Sequence, residues 1–314
     1  MGKTAFLFPG QGSQSVGMGK LFLENHPKAS EIFSSADKRL DYPLSDVIFE
    51  GPEDRLKLTE NTQPAILTTS IAVLQAVQEA GIKADYAAGH SLGEYSALVA
   101  SGSISFEDAV YAVRQRGLYM EEAVPAGEGA MSAVLGLDNE KLAEIADQVT
   151  SEGESVQLAN LNAPGQIVIS GTAKGVETAG NRAQEAGAKR VLPLNVSGPF
   201  HSRMMKPAAA KFKAILDEID IHDAEIPVIA NVTANEMQTA TDIYENLLAQ
   251  LYSPVRWEET IRKMLDLGVD TFIEVGPGNV LCGLVKRVHR RAKAYPVQDP
   301  DSLKKALSKL KEED

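Results

Sequence analysis

Gly89-His90-Ser91-Leu92-Gly93 constrains this 314-residue chain more than any other stretch. Gly-x-Ser-x-Gly is the pattern of a nucleophile elbow, where a strand turns sharply into a helix and lifts one serine hydroxyl clear of a sheet. The flanks supply that context. Tyr86-Ala87-Ala88 reads as a short strand, and Glu94 to Ala100 as a compact helix closed by Gly102. Side chains two residues either side of the serine would clash where the turn is tightest, which accounts for the two glycines. Ser91 then stands at a helix N-terminus, whose unpaired N–H groups and dipole favour a developing anion. The same five residues also fit a glycine-rich turn with a capping serine, so the rest of the chain has to decide.

The length suggests roughly two domains at about 150 residues each. Apolar residues at 44% and charged residues at 24% are globular values, so a packed core is expected. No apolar run approaches the ~18 residues of a membrane span. Ala5-Phe6-Leu7-Phe8 is cut off by Pro9-Gly10 before it could serve as a signal-peptide core. One cysteine, Cys282, excludes internal disulfides and a Cys-based zinc site, and the five histidines show no metal-ligand spacing. A cytoplasmic chain without metal is the expectation. A net charge of −12 argues against nonspecific nucleic-acid binding. Lys286 to Lys293 is a basic island that, from charge alone, reads as a solvated helix end.

Along the chain, Thr4 to Phe8 is a first strand, followed by Pro9-Gly10-Gln11-Gly12-Ser13-Gln14, a loop that exposes backbone N–H groups as anion cradles do. No Gly-Lys-Ser/Thr follows, so it is not a Walker loop. Asn61 to Ala80 predicts a helix, with Pro64 in its first turn, Gly81 past its end, and a buried stripe of Ile66, Leu67, Ile71, Leu74 and Val77. From Ala130 to Leu194 the order is strand, helix, strand, strand, helix, strand, which is ferredoxin-like. The fold expected is therefore α/β: an α/β-hydrolase-like main domain with a parallel sheet, formed by residues 1–126 and 197–314. A ferredoxin-like α+β subdomain at 127–196 is inserted into it. The tail from Lys304 to Asp314 reads as a solvated helix.

A serine nucleophile needs a base within reach and a group to orient that base. His90 adjoins Ser91, but neighbouring side chains at a strand end point to opposite faces, so it is expected to satisfy local backbone. His201 follows Ser197-Gly198-Pro199-Phe200, where the insertion returns to the main domain, and junction loops are where sites form. No acid between residues 92 and 200 follows a clean strand, which counts against a Ser…Asp…His lipase or esterase. The helix starting near Ser105 carries a stripe of Phe106, Val110, Val113, Gly117 and Met120. Arg116 lies on that stripe and Arg114 does not. A buried arginine needs a carboxylate, phosphate or carbonyl partner, supplied either by an internal acid or by a substrate.

The chain resembles the bacterial malonyl-CoA:acyl carrier protein transacylases over essentially its whole length. The resemblance rests on FPGQGSQ at Phe8 to Gln14, TENTQPA at Thr59 to Ala65, GHSLGEYSALVA at Gly89 to Ala100 and VRQRG at Val113 to Gly117. It continues through NAPGQIVISG at Asn162 to Gly171, GPFHS at Gly198 to Ser202, QLYSPVRW at Gln250 to Trp257 and EVGPGNVL at Glu274 to Leu281. It implies Ser91 as nucleophile, His201 as base, and the carbonyl of Gln250 as the group orienting His201. It implies an oxyanion hole from the N–H groups of Gln11 and Leu92, and Arg116 as a clamp on the malonyl carboxylate. Phe200 and Leu92 match malonyl-selecting versions of their motifs, and Asn160 and Asn162 would border the thioester arm. The implied substrates are malonyl-CoA and an acidic, phosphopantetheinylated acyl carrier protein, with no permanently bound cofactor. Lys286, Arg287, Arg290 and Arg291 would dock the carrier. A serine hydrolase or thioesterase, and an acyltransferase serving a polyketide synthase, are the alternative readings.

Overall fold

The computed structural model describes residues 2–23 and 26–312. Strand β1 (Lys3–Phe8) is followed by helices α1 (Lys20–Leu23), α2 (Pro27–Leu40), α3 (Leu44–Glu50), α4 (Glu53–Lys57) and α5 (Thr59–Glu79). Next come β2 (Tyr86–Gly89), α6 (Gly93–Ala100) and α7 (Phe106–Glu122). The middle of the chain is β3 (Gly129–Leu135), α8 (Asn139–Ser151), β4 (Val156–Ala163), β5 (Gln166–Thr172), α9 (Ala173–Glu185) and β6 (Arg190–Pro193). It returns through α10 (Lys206–Glu218), β7 (Val228–Ile229), β8 (Glu236–Met237), α11 (Ala240–Gln250) and α12 (Trp257–Asp266). The last elements are β9 (Val269–Val275), α13 (Val280–Val288), β10 (Lys293–Val297) and α14 (Pro300–Lys311).

One sheet has the order β10-β9-β1-β2-β7-β8 and is parallel except at its β7–β8 edge. A parallel sheet covered on both faces reads as an unbroken apolar run, as Ala5 to Phe8 does. The alternation is still there in space. Phe6, Phe8, Ala87 and Ile273 join the core under α5 and α7, while Ala5, Leu7, Ala88 and Phe272 join the core under α12 and α13. The second sheet is antiparallel, order β4-β5-β3-β6, with Leu142, Ile145 and Val149 of α8 and Val176, Ala179 and Ala183 of α9 packed on it. That is the expected ferredoxin-like order. Val255 ties the sheets together: it donates to Ala159 O at 2.8 Å and accepts from Leu161 N at 2.9 Å.

Four sequence expectations need correction. The helix α5 has no single stripe, since Asn61 through Leu74 are all buried; its threonines and serine are small enough to be enclosed on every side. Pro64 is the sixth residue of α5 rather than part of its first turn. A proline there removes the bond that the Glu60 carbonyl would accept, and Arg114 replaces it, donating from Nη1 to Glu60 O at 2.7 Å. The basic run is not one helix end: α13 stops at Val288, and Lys293 opens β10 opposite Thr271. The tail helix begins at Pro300 with a capping box between Asp299 and Ser302, and it buries Leu303 and Ala306 instead of being wholly solvated. The expected helical residues Glu313 and Asp314 lie outside the described residues.

Candidate active site

The elbow forms because two glycines permit it. A Cβ on Gly89 would stand 1.8 Å from the Gly93 carbonyl carbon, and one on Gly93 would stand 2.0 Å from Phe8 O. Ser91 adopts φ +51°, a left-handed conformation that costs about 1–3 kcal/mol in a non-glycine residue. Tertiary contacts hold it there. Asn231, just beyond β7, accepts from Ser91 N at 2.7 Å and donates to Gly89 O at 2.7 Å. Gln250 Nε2 donates to Ser91 O at 2.9 Å.

Ser91 Oγ lies 2.7 Å from His201 Nε2, and His201 Nδ1 lies 2.9 Å from the backbone carbonyl of Gln250. His201 is itself left-handed at φ +57°. Gln157 of β4 clasps its segment, donating to His201 O at 3.1 Å and accepting from Arg203 N at 3.0 Å. The second sheet thus positions the histidine facing a serine held by the first. Burial, and then the charge of Arg116, hold the His201 imidazole down at about 3. It is therefore neutral at any ordinary pH.

Arg116 is buried, and its partners are neutral. Nη1 donates to Gln63 Oε1 at 2.8 Å, while Nη2 donates to Gln250 Oε1 at 2.9 Å and to Ser91 Oγ at 3.2 Å. Its Nε has no partner among the described residues. The acid closest in role is Glu94, fully buried, which accepts from Asn231 N at 3.0 Å and from Gln250 Nε2. Burial pushes its carboxyl up to about 7.

These groups open onto a cleft of about 540 Å³ lined by Gln11, Ser91, Leu92, Arg116, Asn160 and Phe200 among others. Neither the Gln11 nor the Leu92 backbone N–H donates to a described residue. Both are expected oxyanion donors. Asn160 lines the cleft, but the Asn162 Oδ1 accepts from His90 Nε2 at 2.7 Å. His90 therefore reaches across to Asn162, and its ring lies tilted 5.4 Å from Trp257, contacts additional to the local backbone it was expected to satisfy. Lys286, Arg287, Arg290 and Arg291 are not brought to the cleft. Helix α13 starts at the carboxyl edge of the sheet, near Gln11 and His90, and carries those basic residues back to its amino edge, where β10 begins. The sequence reading missed Asn231, Glu94, Gln63 and Gln157. Asn231 had a signal, as a polar residue directly after an apolar strand in an α/β fold, where ligand sites form. Glu94 had another, as the lone carboxylate of an apolar helix.

Fold and dyad together place the chain among the α/β enzymes that present a serine at a strand–helix elbow. The acyl transferase domain model matches residues 5–304, and the chain belongs to that family. It is 62% identical to a malonyl CoA-acyl carrier protein transacylase of Bacillus subtilis, covering 100% of this chain and 99% of the relative. Among solved structures it is similar to an acyl carrier protein S-malonyltransferase of Vibrio cholerae, at TM-score 0.95 and 44% identity over 97% of this chain and 99% of that one. A malonyl-transacylase solved in complex with a type II polyketide acyl-carrier protein matches at TM-score 0.95 and 44% identity, over 98% and 99% of the two chains. No helix among the described residues is long and apolar enough to cross a membrane, and no group of three or more His, Cys, Asp or Glu among them is arranged to hold a metal ion.

Proposed function

We propose that the chain transfers the malonyl group of malonyl-CoA to the phosphopantetheine thiol of an acyl carrier protein, in fatty-acid biosynthesis, through a malonyl-Ser91 ester. The observation that carries this is the convergence of His201 Nε2 at 2.7 Å and Arg116 Nη2 at 3.2 Å on one serine oxygen. Ser91 Oγ attacks the thioester carbon while His201 takes its proton. The Gln250 carbonyl, accepting from Nδ1, fixes the tautomer that leaves Nε2 free as acceptor. The Leu92 and Gln11 N–H groups face the developing oxyanion. The C–S bond breaks and the proton passes from His201 to the CoA sulfur. A thiol of pKa ~8.5 leaves readily, so a neutral carbonyl behind the histidine is sufficient. The carrier thiol then repeats the sequence in reverse.

Arg116 binds the malonyl carboxylate through its planar fork, which a lysine would not reproduce. That carboxylate also offsets the guanidinium charge that depresses His201, so the proper substrate makes the base stronger. Every step uses only the chain and its two substrates. The reading puts the enzyme in the cytoplasm, which cell fractionation checks. The test of function is covalent. Mass spectrometry after incubation with malonyl-CoA should place one malonyl group on the Ser91 peptide, lost on chase with holo carrier protein and absent in Ser91→Ala. An adduct retained in Ser91→Ala contradicts it. The likeness to the polyketide complex supports one second reading, a polyketide carrier as acceptor, and chase with each carrier separates the two.

A further inference from the structure

Arg116 and Glu94 are both fully buried and meet at the two ends of one amide. Gln250 gives its Nε2 to Glu94 and accepts from Arg116 Nη2 through its Oε1 at 2.9 Å. Both Glu94 oxygens act as acceptors, one from Asn231 N at 3.0 Å and one from Gln250, the pattern an ionised carboxylate prefers. The charged or titratable groups facing Glu94 are Arg116 from α7 and Tyr95 from its own helix, while the neighbours after β7 and on α11, Asn231 and Gln250, are neutral. His201 bears on the same pair only through Arg116. In the empty site the two buried charges compensate each other across the amide.

A substrate carboxylate on Arg116 brings a second anion into this enclosed volume. Two carboxylates sharing one guanidinium out of water cannot both stay ionised without one binding a proton more tightly. The substrate's carboxylate enters from the open cleft, whereas Glu94 is sealed behind Gln250. We propose that Glu94 is the internal counter-charge of Arg116 in the empty enzyme and takes up a proton when a carboxylate substrate occupies that guanidinium. This rests on the reading of Arg116 as the acyl clamp. The substrate carboxylate displaces Gln250 Oε1 from Arg116, while Gln250 Nε2 keeps its bonds to Ser91 O and Glu94. Because burial already holds Glu94 up at about 7, the proton is gained readily near neutral pH.

Acylation is otherwise proton-neutral. The Ser91 O–H proton ends on the CoA sulfur as the C–S bond is exchanged for C–O, and a thiol of pKa ~8.5 keeps its proton at pH 7. In weakly buffered solution at pH 7 with an indicator dye, malonylation of the wild-type enzyme should therefore take up about half a proton per Ser91 acylated. Acetylation by acetyl-CoA should take up none, and Glu94→Gln none with either thioester. Wild-type malonylation without uptake, or equal uptake in Glu94→Gln, overturns the proposal. Should Glu94→Gln fail to fold, the malonyl-minus-acetyl difference in the wild type decides alone. Failure of the clamp itself is distinguishable: Arg116→Ala would then keep the wild-type preference for malonyl. Failure of the counter-charge alone leaves that preference dependent on Arg116 and the dye silent.

Discussion

The Nδ1–H of His201 donates to the main-chain carbonyl of Gln250 at 2.9 Å, where serine hydrolases place a carboxylate. A carbonyl fixes the tautomer without supplying a full negative charge, so it supports an imidazolium less than a carboxylate would. Burial, and then the nearness of Arg116, depress the basicity of His201, and the Gln250 carbonyl offsets them only in part.

This has a thermodynamic consequence with a definite sign. The unfolded histidine titrates near 6.5 and the folded one near 3, so the unfolded chain binds the extra proton between those values. Stability contributed by the neutral ring is present above pH 6.5 and is lost as pH falls towards 3. By linkage the loss is about 2 kcal/mol at pH 5. Denaturant unfolding of wild type and His201→Gln at pH 5 and pH 7.5 should show the wild type losing about that much relative to the variant. A pH-independent difference would mean that His201 is not held neutral by the fold.

Kinetics separate the two histidines near the serine. His201→Ala should slow Ser91 acylation by about 10²–10⁴-fold, the usual contribution of a general base. His90→Ala should lower the melting temperature, through loss of the Asn162 bond and the Trp257 contact, and change acylation only a few-fold. Loss of activity at unchanged stability in His90→Ala would reverse the assignment.

The residues legible in the sequence were those whose meaning is local. Ser91 announced itself through glycines two positions either side, and Arg116 through its place on an apolar helical stripe. The antiparallel sheet was legible from strand and helix order. The supporting shell was not, because it is made of contacts between distant segments. Asn231 meets Ser91, and Gln250 meets Glu94, only when β7 and α11 return beside the elbow. The reading of the basic island as one helix end failed for the same reason. Its composition is visible in the sequence, but the strand that takes Lys293 to the far edge of the sheet is set by pairing with β9. Helix α2 ends on Asp41 at φ 50° instead of on a glycine, and α3, although it stops at Gly51 at φ 77°, is too short to show a stripe.

Arg114, two residues before Arg116 on the same helix, makes a structural prediction. Its bond to Glu60 O exists because Pro64 cannot make one. Arg114→Ala should destabilise by about 1 kcal/mol, the net worth of a hydrogen bond to a half-buried carbonyl that water can reach in part. In a Pro64→Ala background, where the helical N–H returns, the same change should cost measurably less. Equal costs in the two backgrounds would separate the arginine from the proline.

The central claim is that Arg116 faces the carboxylate of the acyl group being transferred. Its direct hydrogen-bond partners are neutral, and Glu94, the buried acid it faces across Gln250, is already held up at about 7, so removing Arg116 leaves that acid protonated rather than as an unpaired charge. Each charge-assisted hydrogen bond contributes about 1.5–3 kcal/mol, and a lost bidentate pair should lower kcat/KM for malonyl-CoA at least about tenfold. Acetyl-CoA, with no carboxylate to lose, should be used as well as before or better. The deciding measurement is the ratio of kcat/KM for malonyl-CoA to that for acetyl-CoA in wild type and Arg116→Ala. A ratio that collapses in the variant is the predicted result; a ratio that is unchanged contradicts the account.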